Sequence, residues 1–481
     1  MSTSRRDFLR ASACTLGGLA LASTFESLGL VDAYAQAATD YRALVCIFLN
    51  GGNDGTNMIV PLDQYNGPQG STTTGYSNVR GPSTLALPQS SLVAVNPASQ
   101  SGQFGLHPNL APEVANPSIA NKGLLDVWAQ GRLAVVCNVG PLVEPINRTT
   151  YLNGTGKRPL QLFSHSDQVN QWQSSIANSV SRTGWGGRLA DRSAGLNGSA
   201  TFPQVVTIAG ISLFVTGANA LPLALGDSNS TLGAALPLTM TANSSGSSVT
   251  DVPTRRAAFD ALRALDAEKI LVRADANTRS SALQTKAQLD TAPNTDFTKI
   301  PNTSLGRQLE QVARLVALRD TLGVKRQIFF CSLGGFDTHS NQRTAGQDAL
   351  LLQLSQAMRG FWDTLGDLGV QNNVTTFTLS DFGRTFQASG SGTAVGTDHG
   401  WGNHHFVMGG AVRGGNFYGT YPTLALGGPD DADTRGRWIP TTSVEQYAAT
   451  LASWYGLSAS DFPAVFPLLD RFSTPNLGFM I

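Results

Sequence analysis

The stretch "QIFFCSLGGFDTHSNQ", residues 327–342, contains a run of apolar and aromatic residues that breaks into two glycines. Apolar residues in succession, rather than in alternation, are typical of a strand that is buried on both faces in a parallel sheet. Asp337 and His339 follow the glycines, two residues apart. In extended backbone such residues point to the same side, so a carboxylate and an imidazole are predicted to converge.

The same design recurs in "RALVCIFLNGGNDG" (42–55), "RLAVVCNVG" (132–140) and "VTTFTLSDFG" (374–383). Stretches with apolar residues every three or four positions lie between these strands and predict helices. This alternation predicts an α/β fold with a mainly parallel central sheet between helices, and a ligand site beyond the carboxyl ends of the strands. The predicted helices cover residues 254–292, 304–323 and 344–369, and "TFPQVVTIAGISLFVTG" (201–217) is predicted to be a β-hairpin with its turn at Ala209 and Gly210.

The first 35 residues have the pattern of an export signal. "SRRDFLR" places Arg5 and Arg6 before a short apolar stretch, and small residues follow around Ala35. We interpret residues 1–35 as a twin-arginine signal and expect a periplasmic or secreted protein without a transmembrane segment after signal removal. Residues 36–481 are then predicted to form a single domain, with a Ser/Thr/Gly-rich insertion at about 226–252.

Composition excludes several classes of partner and site. Of 481 residues only 14% are charged, and 33 Lys and Arg balance 33 Asp and Glu. Zero net charge argues against nucleic acid or an anionic membrane surface as a main partner. Outside the signal, Cys46, Cys137 and Cys331 lie in separate apolar strands, so they are interpreted as core residues rather than as disulfides or nucleophiles. Composition leaves the oligomeric state open.

Carboxylates and imidazoles gather at the predicted strand ends. The chain has six histidines, and three of them fall within "TDHGWGNHH", residues 397–405. Oxygen and imidazole donors without thiolate suit a divalent ion such as Zn²⁺, Mn²⁺, Ca²⁺ or Fe²⁺. His404 has a second interpretation, as a core residue or one that orients a ligand. The candidate metal ligands are Asp54, Asp337, His339, Asp381, Asp398, His399 and His404.

Two further residues are candidates for catalysis. Ser164, in "LFSHSDQVNQW" (162–172), is either the N-cap of a helix or a hydroxyl nucleophile at a helix N-terminus. Arg384, in "SDFGRT", either forms a salt bridge with Asp381 or binds an anionic group of a substrate. The residue pattern alone leaves both pairs of alternatives open.

An ordered series of motifs resembles the exported proteins of the DUF1501 family, which are grouped with the alkaline phosphatase-like superfamily of phosphatases and sulfatases. The resemblance implies an alkaline phosphatase-like fold, metal at the strand ends and an attacked phosphate or sulfate ester. It implies that Asp337, His339 and His399 are ligands, that Asp54 replaces a ligand expected at Asn50, and that Ser164 is the nucleophile. Phe382 stands where that superfamily has a ligand histidine. The motifs are "FLNGGNDGTNMIVP", "GLHPNLAP", "GRLAVVCNVG", "GGFDTHSNQ", "SDFGRTFQASGSG" and "TDHGWGNHHFVMGGAVRGG".

Together these observations predict a metal-dependent hydrolase that acts on phosphate or sulfate esters of small molecules or polymers. The first alternative is a non-catalytic metal-binding protein of the cell envelope. A redox or oxygen-using metal site is the third, because non-haem iron uses similar ligands.

Overall fold

The computed structural model describes residues 38–100, 102–111, 123–235, 270–390 and 394–481, and the single residues 257 and 261. The predicted signal at 1–35 and most of the predicted insertion at 226–252 lie outside the described residues. Within the described ranges, no helix has both the length and the hydropathy that a membrane span requires.

The strands are numbered here in chain order. They are β1 (Arg42–Leu49), β2 (Ile59–Pro61), β3 (Val93–Val95), β4 (Phe104–Leu106), β5 (Leu133–Gly140), β6 (Val205–Thr207), β7 (Leu223–Ala224), β8 (Arg326–Leu333), β9 (Val374–Ser380), β10 (Arg384–Ser389), β11 (Gly396–His399), β12 (Asn403–Gly409), β13 (Asn416–Tyr418) and β14 (Thr442–Ser443).

The α-helices are numbered in the same way. They are α1 (Gly55–Met58), α2 (Tyr76–Arg80), α3 (Leu124–Ala129), α4 (Arg148–Leu152), α5 (His165–Ser174), α6 (Trp185–Ser193), α7 (Ile270–Asp290), α8 (Ser304–Ala317), α9 (Gln347–Asp367), α10 (Val444–Tyr455) and α11 (Phe462–Val465). A turn of π-helix, Gln342–Gly346, leads into α9.

A nine-stranded sheet forms the centre of the protein, in the order β13-β5-β12-β9-β1-β8-β6-β7, with β14 beside β5. Strand β1 pairs in parallel with β8 and β9, whereas β12 runs antiparallel to β5 and β9. A hairpin of β10 and β11 stands apart from this sheet, as does a small sheet of β2, β4 and β3. The prediction of a mainly parallel sheet is therefore confirmed.

Both faces of the central sheet are buried, as the consecutive apolar residues predict. In β1, Val45 and Ile47 belong to one apolar cluster, which includes residues of α8 and α9. Cys46 and Phe48 belong to a second cluster, which includes residues of α6 and α10. The predicted helices at 304–323 and 344–369 are confirmed as α8 and α9, and the described part of 254–292 is α7.

The predicted hairpin at 201–217 is wrong. In the described chain, β6 pairs in parallel with β7 and β8, and a turn of 3-10 helix, Leu213–Val215, stands where the second strand was expected. Phe214 and Val215 are fully buried in the second apolar cluster. Tertiary packing therefore accounts for the apolar residues that local sequence attributes to a strand.

Candidate metal centre

Four side chains from three parts of the chain converge beyond the carboxyl ends of β8 and β9. Asp337 and His339 lie in the loop after β8, His399 ends β11, and His165 begins α5. The distances from Asp337 Oδ1 to the Nε2 atoms of His165, His339 and His399 are 3.5, 3.1 and 3.5 Å. The Nε2 atoms of His339 and His399 are 2.9 Å apart. This edge of the sheet is where the fold class places ligands.

Each imidazole is held at its other ring nitrogen by an oxygen. His165 Nδ1 lies 2.7 Å from Asp381 Oδ2, and His339 Nδ1 lies 3.0 Å from Asp398 Oδ1. His399 Nδ1 lies 2.8 Å from the carbonyl oxygen of Phe163. A carbonyl or carboxylate oxygen accepts hydrogen bonds, so these partners assign the proton to Nδ1 in each ring. The three Nε2 lone pairs are then directed toward one region.

This arrangement fits a cation. With the proton of each ring on Nδ1, three lone pairs and a carboxylate oxygen face one another, and a positive charge among them would relieve their repulsion. His165 Nε2 is buried and has no hydrogen-bond partner among the described residues. Ligand atoms of His165, Asp337 and His399 all lie within 4.8 Å of one another. Three imidazoles with one carboxylate favour Zn²⁺, Mn²⁺ or Fe²⁺ over Ca²⁺, which takes oxygen ligands.

Close backbone approaches build the centre. Gly51 has φ +115°, and a Cβ at this position would lie 2.3 Å from the amide nitrogen of Asp337. The Gly51 N–H donates to Asp381 Oδ1 at 2.9 Å. A Cβ on Gly396 would lie 2.2 Å from the carbonyl oxygen of Thr338. Glycine therefore allows the turn after β1 and the start of β11 to contact the loop that carries Asp337 and His339.

Phe382 forms an apolar side of the cluster. The ring is fully buried, and its centroid is 4.7 Å from the ring centroids of both His165 and His399. At the position where the resemblance implies a ligand histidine, the chain thus supplies aromatic packing against two imidazoles of the cluster. The contact restricts how far these imidazoles can rotate.

Arginines hold two carboxylates of the site in the charged form. Partial burial would raise the pKa of Asp337, but hydrogen bonding and charge from Arg384 outweigh it and lower that pKa. Arg435 likewise outweighs the burial of Asp398 and lowers its pKa. Burial lowers the pKa of His399, which favours the neutral imidazole that a metal requires. Burial raises the pKa of Asp381, against the opposing effect of His165.

Five predicted ligands take part in this cluster. Asp337, His339 and His399 supply converging atoms, whereas Asp381 and Asp398 hold histidines from behind. Carboxylates that orient ligand imidazoles in this way are common around protein-bound metals.

Two predicted ligands lie elsewhere. The carboxylate of Asp54 is fully engaged, since Arg80 contacts it at 2.7 and 3.1 Å and Gln342 Nε2 donates to it at 2.6 Å. His404 is buried, its ring stacks on Tyr421 at 4.4 Å, and its Nδ1 accepts from a backbone N–H. His404 therefore lies in the core, which agrees with the second interpretation of this residue.

The two predicted catalytic residues, Arg384 and Ser164, lie in different surroundings. Arg384 is fully buried; it donates to Asp337 Oδ1 at 2.7 Å and to the Gly51 carbonyl at 3.2 Å, so it orients the Asp337 carboxylate. Ser164 is the N-cap residue of α5, yet its side chain makes no capping hydrogen bond among the described residues. Its Oγ instead donates to Asp167 Oδ2 at 2.6 Å.

Sequence reasoning missed His165 as a ligand. The sequence indicates a helix cap or a nucleophile for this segment, and the periodicity of a helix does not show where the side chain of its first residue points. The available signal was the scarcity of histidine, because His165 is one of only six in the chain.

A family model described as "Protein of unknown function (DUF1501)" matches residues 41–432, and the chain belongs to this family. No curated protein matches.

Solved structures give weak matches. One, described as Ps i-CgsB in complex with k-i-k-neocarrahexaose, has 8% identity and a TM-score of 0.31, covering 91% of this chain and 78% of that chain. The PsFucS1 sulfatase from Pseudoalteromonas sp. has 12% identity and a TM-score of 0.25, covering 84% and 68%. The alkaline phosphatase from the Antarctic bacterium TAB5 has 10% identity and a TM-score of 0.22, covering 78% and 92%.

Proposed function

We propose that this DUF1501 protein is an exported, metal-dependent hydrolase of phosphate or sulfate esters. One observation carries the proposal: three Nε2 atoms converge on Asp337 Oδ1, and each ring is fixed at Nδ1 by an oxygen. His165, His339, His399 and Asp337 would hold the ion. A divalent ion at this place would supply Lewis-acid stabilisation of negative charge that develops during ester cleavage.

Charge around the cluster supports an anionic substrate. Two arginines follow the ligand-bearing segments: Arg435 contacts Asp398 at 2.6 Å, and Arg437 contacts Asp433 at 3.1 Å and donates to the His399 carbonyl at 2.8 Å. With Arg384, these arginines place three guanidinium groups around the cluster. A divalent ion would add positive charge to the same region, which favours binding of an anionic ester.

Arg435 and Arg437 are the arginines available to a substrate. Their side chains are 35% and 21% exposed, whereas Arg384 is fully buried. We assign to these two residues the contact with the non-bridging ester oxygens that the sequence suggested for Arg384. Guanidinium groups suit this task because they donate several hydrogen bonds in a fixed plane.

Ser164 is the candidate nucleophile in this proposal. Its hydroxyl proton passes to Asp167 as Oγ bonds to phosphorus or sulfur, and the bond to the leaving oxygen breaks. The leaving oxygen takes a proton from solvent, and water then hydrolyses the ester formed on Ser164. The N-terminus of α5 lies at the attack site and favours the transferred anion.

Turnover assays test this function directly. Full-length protein, stripped with a chelator and reloaded with Zn²⁺, Mn²⁺ or Fe²⁺, is assayed on p-nitrophenyl phosphate, bis-p-nitrophenyl phosphate and p-nitrophenyl sulfate. We expect turnover with at least one metal and none after chelation. Activity that survives complete metal removal would contradict the proposal.

Ser164→Ala tests whether Ser164 is the nucleophile or only the N-cap of α5. We expect a loss of turnover of at least about 100-fold with unchanged metal content, because the attacking oxygen is removed. Ser166→Ala is the matched control, since Ser166 hydrogen-bonds to Ser164 and Asp167 without a proposed role in attack. Equal losses in both variants would exclude Ser164 as the nucleophile.

One observation favours the non-catalytic alternative. Ser164 Oγ bonds to Asp167 and Ser166, and no hydrogen bond within the described chain directs it at the four ligand side chains. Thermal stabilisation by metal without turnover of any of the three esters would support a metal-binding envelope protein.

A further inference from the structure

A buried chain of hydrogen bonds connects Asp54 with the metal-site carboxylate of Asp337. Arg384 Nη1 donates to Asp337 Oδ1 at 2.7 Å, and Arg384 Nε donates to Thr397 Oγ1 at 3.2 Å. The Thr397 hydroxyl donates to Gln342 Oε1 at 2.6 Å, and Gln342 Nε2 donates to Asp54 Oδ2 at 2.6 Å. From Arg384 to Asp54, every hydrogen bond has the same direction, from a cation toward an anion.

This chain is shielded from water. Arg384 and Asp54 are each 2% exposed, and Thr397 and Gln342 are fully buried. Arg80, also fully buried, contacts both carboxylate oxygens of Asp54. In a low-dielectric interior, hydrogen bonds polarise one another, and a fully satisfied network holds its members in one arrangement. This series of hydrogen bonds can therefore fix the orientation of a side chain several residues away from Asp54.

These hydrogen bonds explain how the exposed carboxylate of Asp337 can be held in place. The Asp337 side chain is 47% exposed and lies in a loop, so few packing contacts restrain it. Arg384 belongs to β10 and Thr397 to β11, whereas Gln342 begins the π-turn and Asp54 caps α1. The hydrogen bonds thus tie the Asp337 carboxylate to one buried residue in each of four elements.

We propose that Asp54 is a positioning residue, which acts through Gln342, Thr397 and Arg384 to orient the Asp337 carboxylate for the metal. The inference rests on the proposed metal centre. It assigns to Asp54 an indirect role in place of the direct ligation that the sequence suggested.

Thr397→Val is the variant that interrupts this series of hydrogen bonds with the least change in side-chain volume. It removes the hydroxyl that accepts from Arg384 and donates to Gln342. Asp54→Asn is less suitable, because it leaves the buried Arg80 without its carboxylate and threatens folding. Zn²⁺ affinity of the purified full chain is measured by competition with a chromophoric chelator. We expect Thr397→Val to weaken Zn²⁺ binding about 10-fold, the loss typical of a group that orients a ligand.

Two further variants make the test specific. Thr397→Ser retains the hydroxyl, so its Zn²⁺ affinity should lie within about twofold of that of wild type. Thr376→Val is the matched control: Thr376 is fully buried in β9, and its hydroxyl has no hydrogen-bond partner among the described residues. Its Zn²⁺ affinity should equal that of wild type.

The outcomes separate the two proposals. Wild-type protein that binds no Zn²⁺ overturns the metal centre itself. Wild-type protein that binds Zn²⁺, with Thr397→Val binding equally well, overturns the positioning role of Asp54. Equal weakening in Thr397→Val and Thr376→Val also overturns it, because the effect would then follow from core packing.

Discussion

His339 shows how the residues around the centre divide their tasks. Its Nε2 faces Asp337, while its Nδ1 bonds to Asp398, and Asp398 in turn accepts a hydrogen bond from Arg435. The arginine lowers the pKa of Asp398 despite partial burial, so the carboxylate remains charged and the ring keeps its proton on Nδ1. Tautomer and orientation of this imidazole therefore depend on residues that lie behind it, away from Asp337.

Asp398→Asn tests this dependence. An amide can present its oxygen to His339 Nδ1, but it lacks the charge and loses the ion pair with Arg435. We expect metal affinity to fall about 10-fold to 100-fold with the fold intact. Isothermal titration with Zn²⁺ measures the effect, and Asp433→Asn, which removes the partner of Arg437, is the control outside the ligand shell. Unchanged affinity in Asp398→Asn would contradict the role given to this carboxylate.

His165→Ala addresses the ligand that sequence reasoning missed. Loss of a ligand nitrogen should reduce Zn²⁺ affinity by more than the loss of an orienting carboxylate, hence by more than about 100-fold. His107→Gln is the control, because His107 is buried beside Asp348, outside the cluster. Comparable metal content in His165→Ala and wild type, measured by elemental analysis, would remove His165 from the centre.

At the scale of elements, the turn after β1 determines how the ligands meet. Gly51 brings this turn against the Asp337 backbone, and Gly52, at φ +86°, leaves room for the Phe382 ring. The turn thus contacts both the ligand loop and the aromatic ring behind two imidazoles.

Gly51→Ala should disturb the centre as well as the fold. Residue 51 has a left-handed conformation, and its Cβ would lie 2.3 Å from the Asp337 amide nitrogen. We therefore expect the free energy of unfolding to fall by at least about 1 kcal/mol, together with loss of metal binding. Gly210→Ala is the matched control, because Gly210 also has positive φ (+80°) but has open space around its Cβ position. Thermal unfolding with and without Zn²⁺ distinguishes the two. Similar behaviour of both variants would show that backbone conformation alone matters at Gly51.

Elements with a strong local pattern could be predicted from the sequence. Consecutive apolar residues predicted the central strands, and the three-to-four spacing predicted α8 and α9. Residues 201–217 could not be predicted, because β6 pairs with β8, which is distant in sequence, and with β7, which lies beyond this segment. His165 was missed for a similar reason: only the packing of α5 against the sheet brings its first residue to Asp337.

The site was predictable where ligands follow strands directly. Asp337, His339 and His399 come from segments that end at the same edge of the sheet. Asp54 follows β1 in the same way, yet the buried Arg80 determines the direction of its carboxylate. Sequence can therefore place a residue near a site without showing which partner its side chain takes.

At the scale of the whole molecule, one buried carboxyl group outside the candidate metal centre should affect stability. Glu445 of α10 is 1% exposed; one oxygen accepts from the Leu468 N–H at 3.1 Å, and the other has no partner in the described structure. Burial raises the pKa of Glu445 to about 8, against the opposing effects of the Leu468 N–H and Arg188. The folded protein thus retains a proton that the unfolded chain releases near pH 4.5.

Stability should depend on pH through this group. Its contribution is full below pH 4.5 and is lost as pH rises to about 8, because over that range only the folded state holds the proton. Glu445→Gln should therefore raise the melting temperature relative to wild type at pH 9, with a smaller difference at pH 5. Glu144→Gln, at a partly exposed surface pair with Lys157, is the control. A difference that does not vary with pH would contradict the raised pKa of Glu445.

The most direct test of the account is a crystal structure of the full chain soaked with Zn²⁺, with the ion located by anomalous diffraction. We predict one ion bound by Nε2 of His165, His339 and His399 and by Asp337 Oδ1, at distances of about 2.0–2.2 Å. Asp381, Asp398 and the Phe163 carbonyl should remain bonded to the Nδ1 atoms. An ion bound away from these four atoms, or no ion at this edge of the sheet at saturating Zn²⁺, would contradict the central claim.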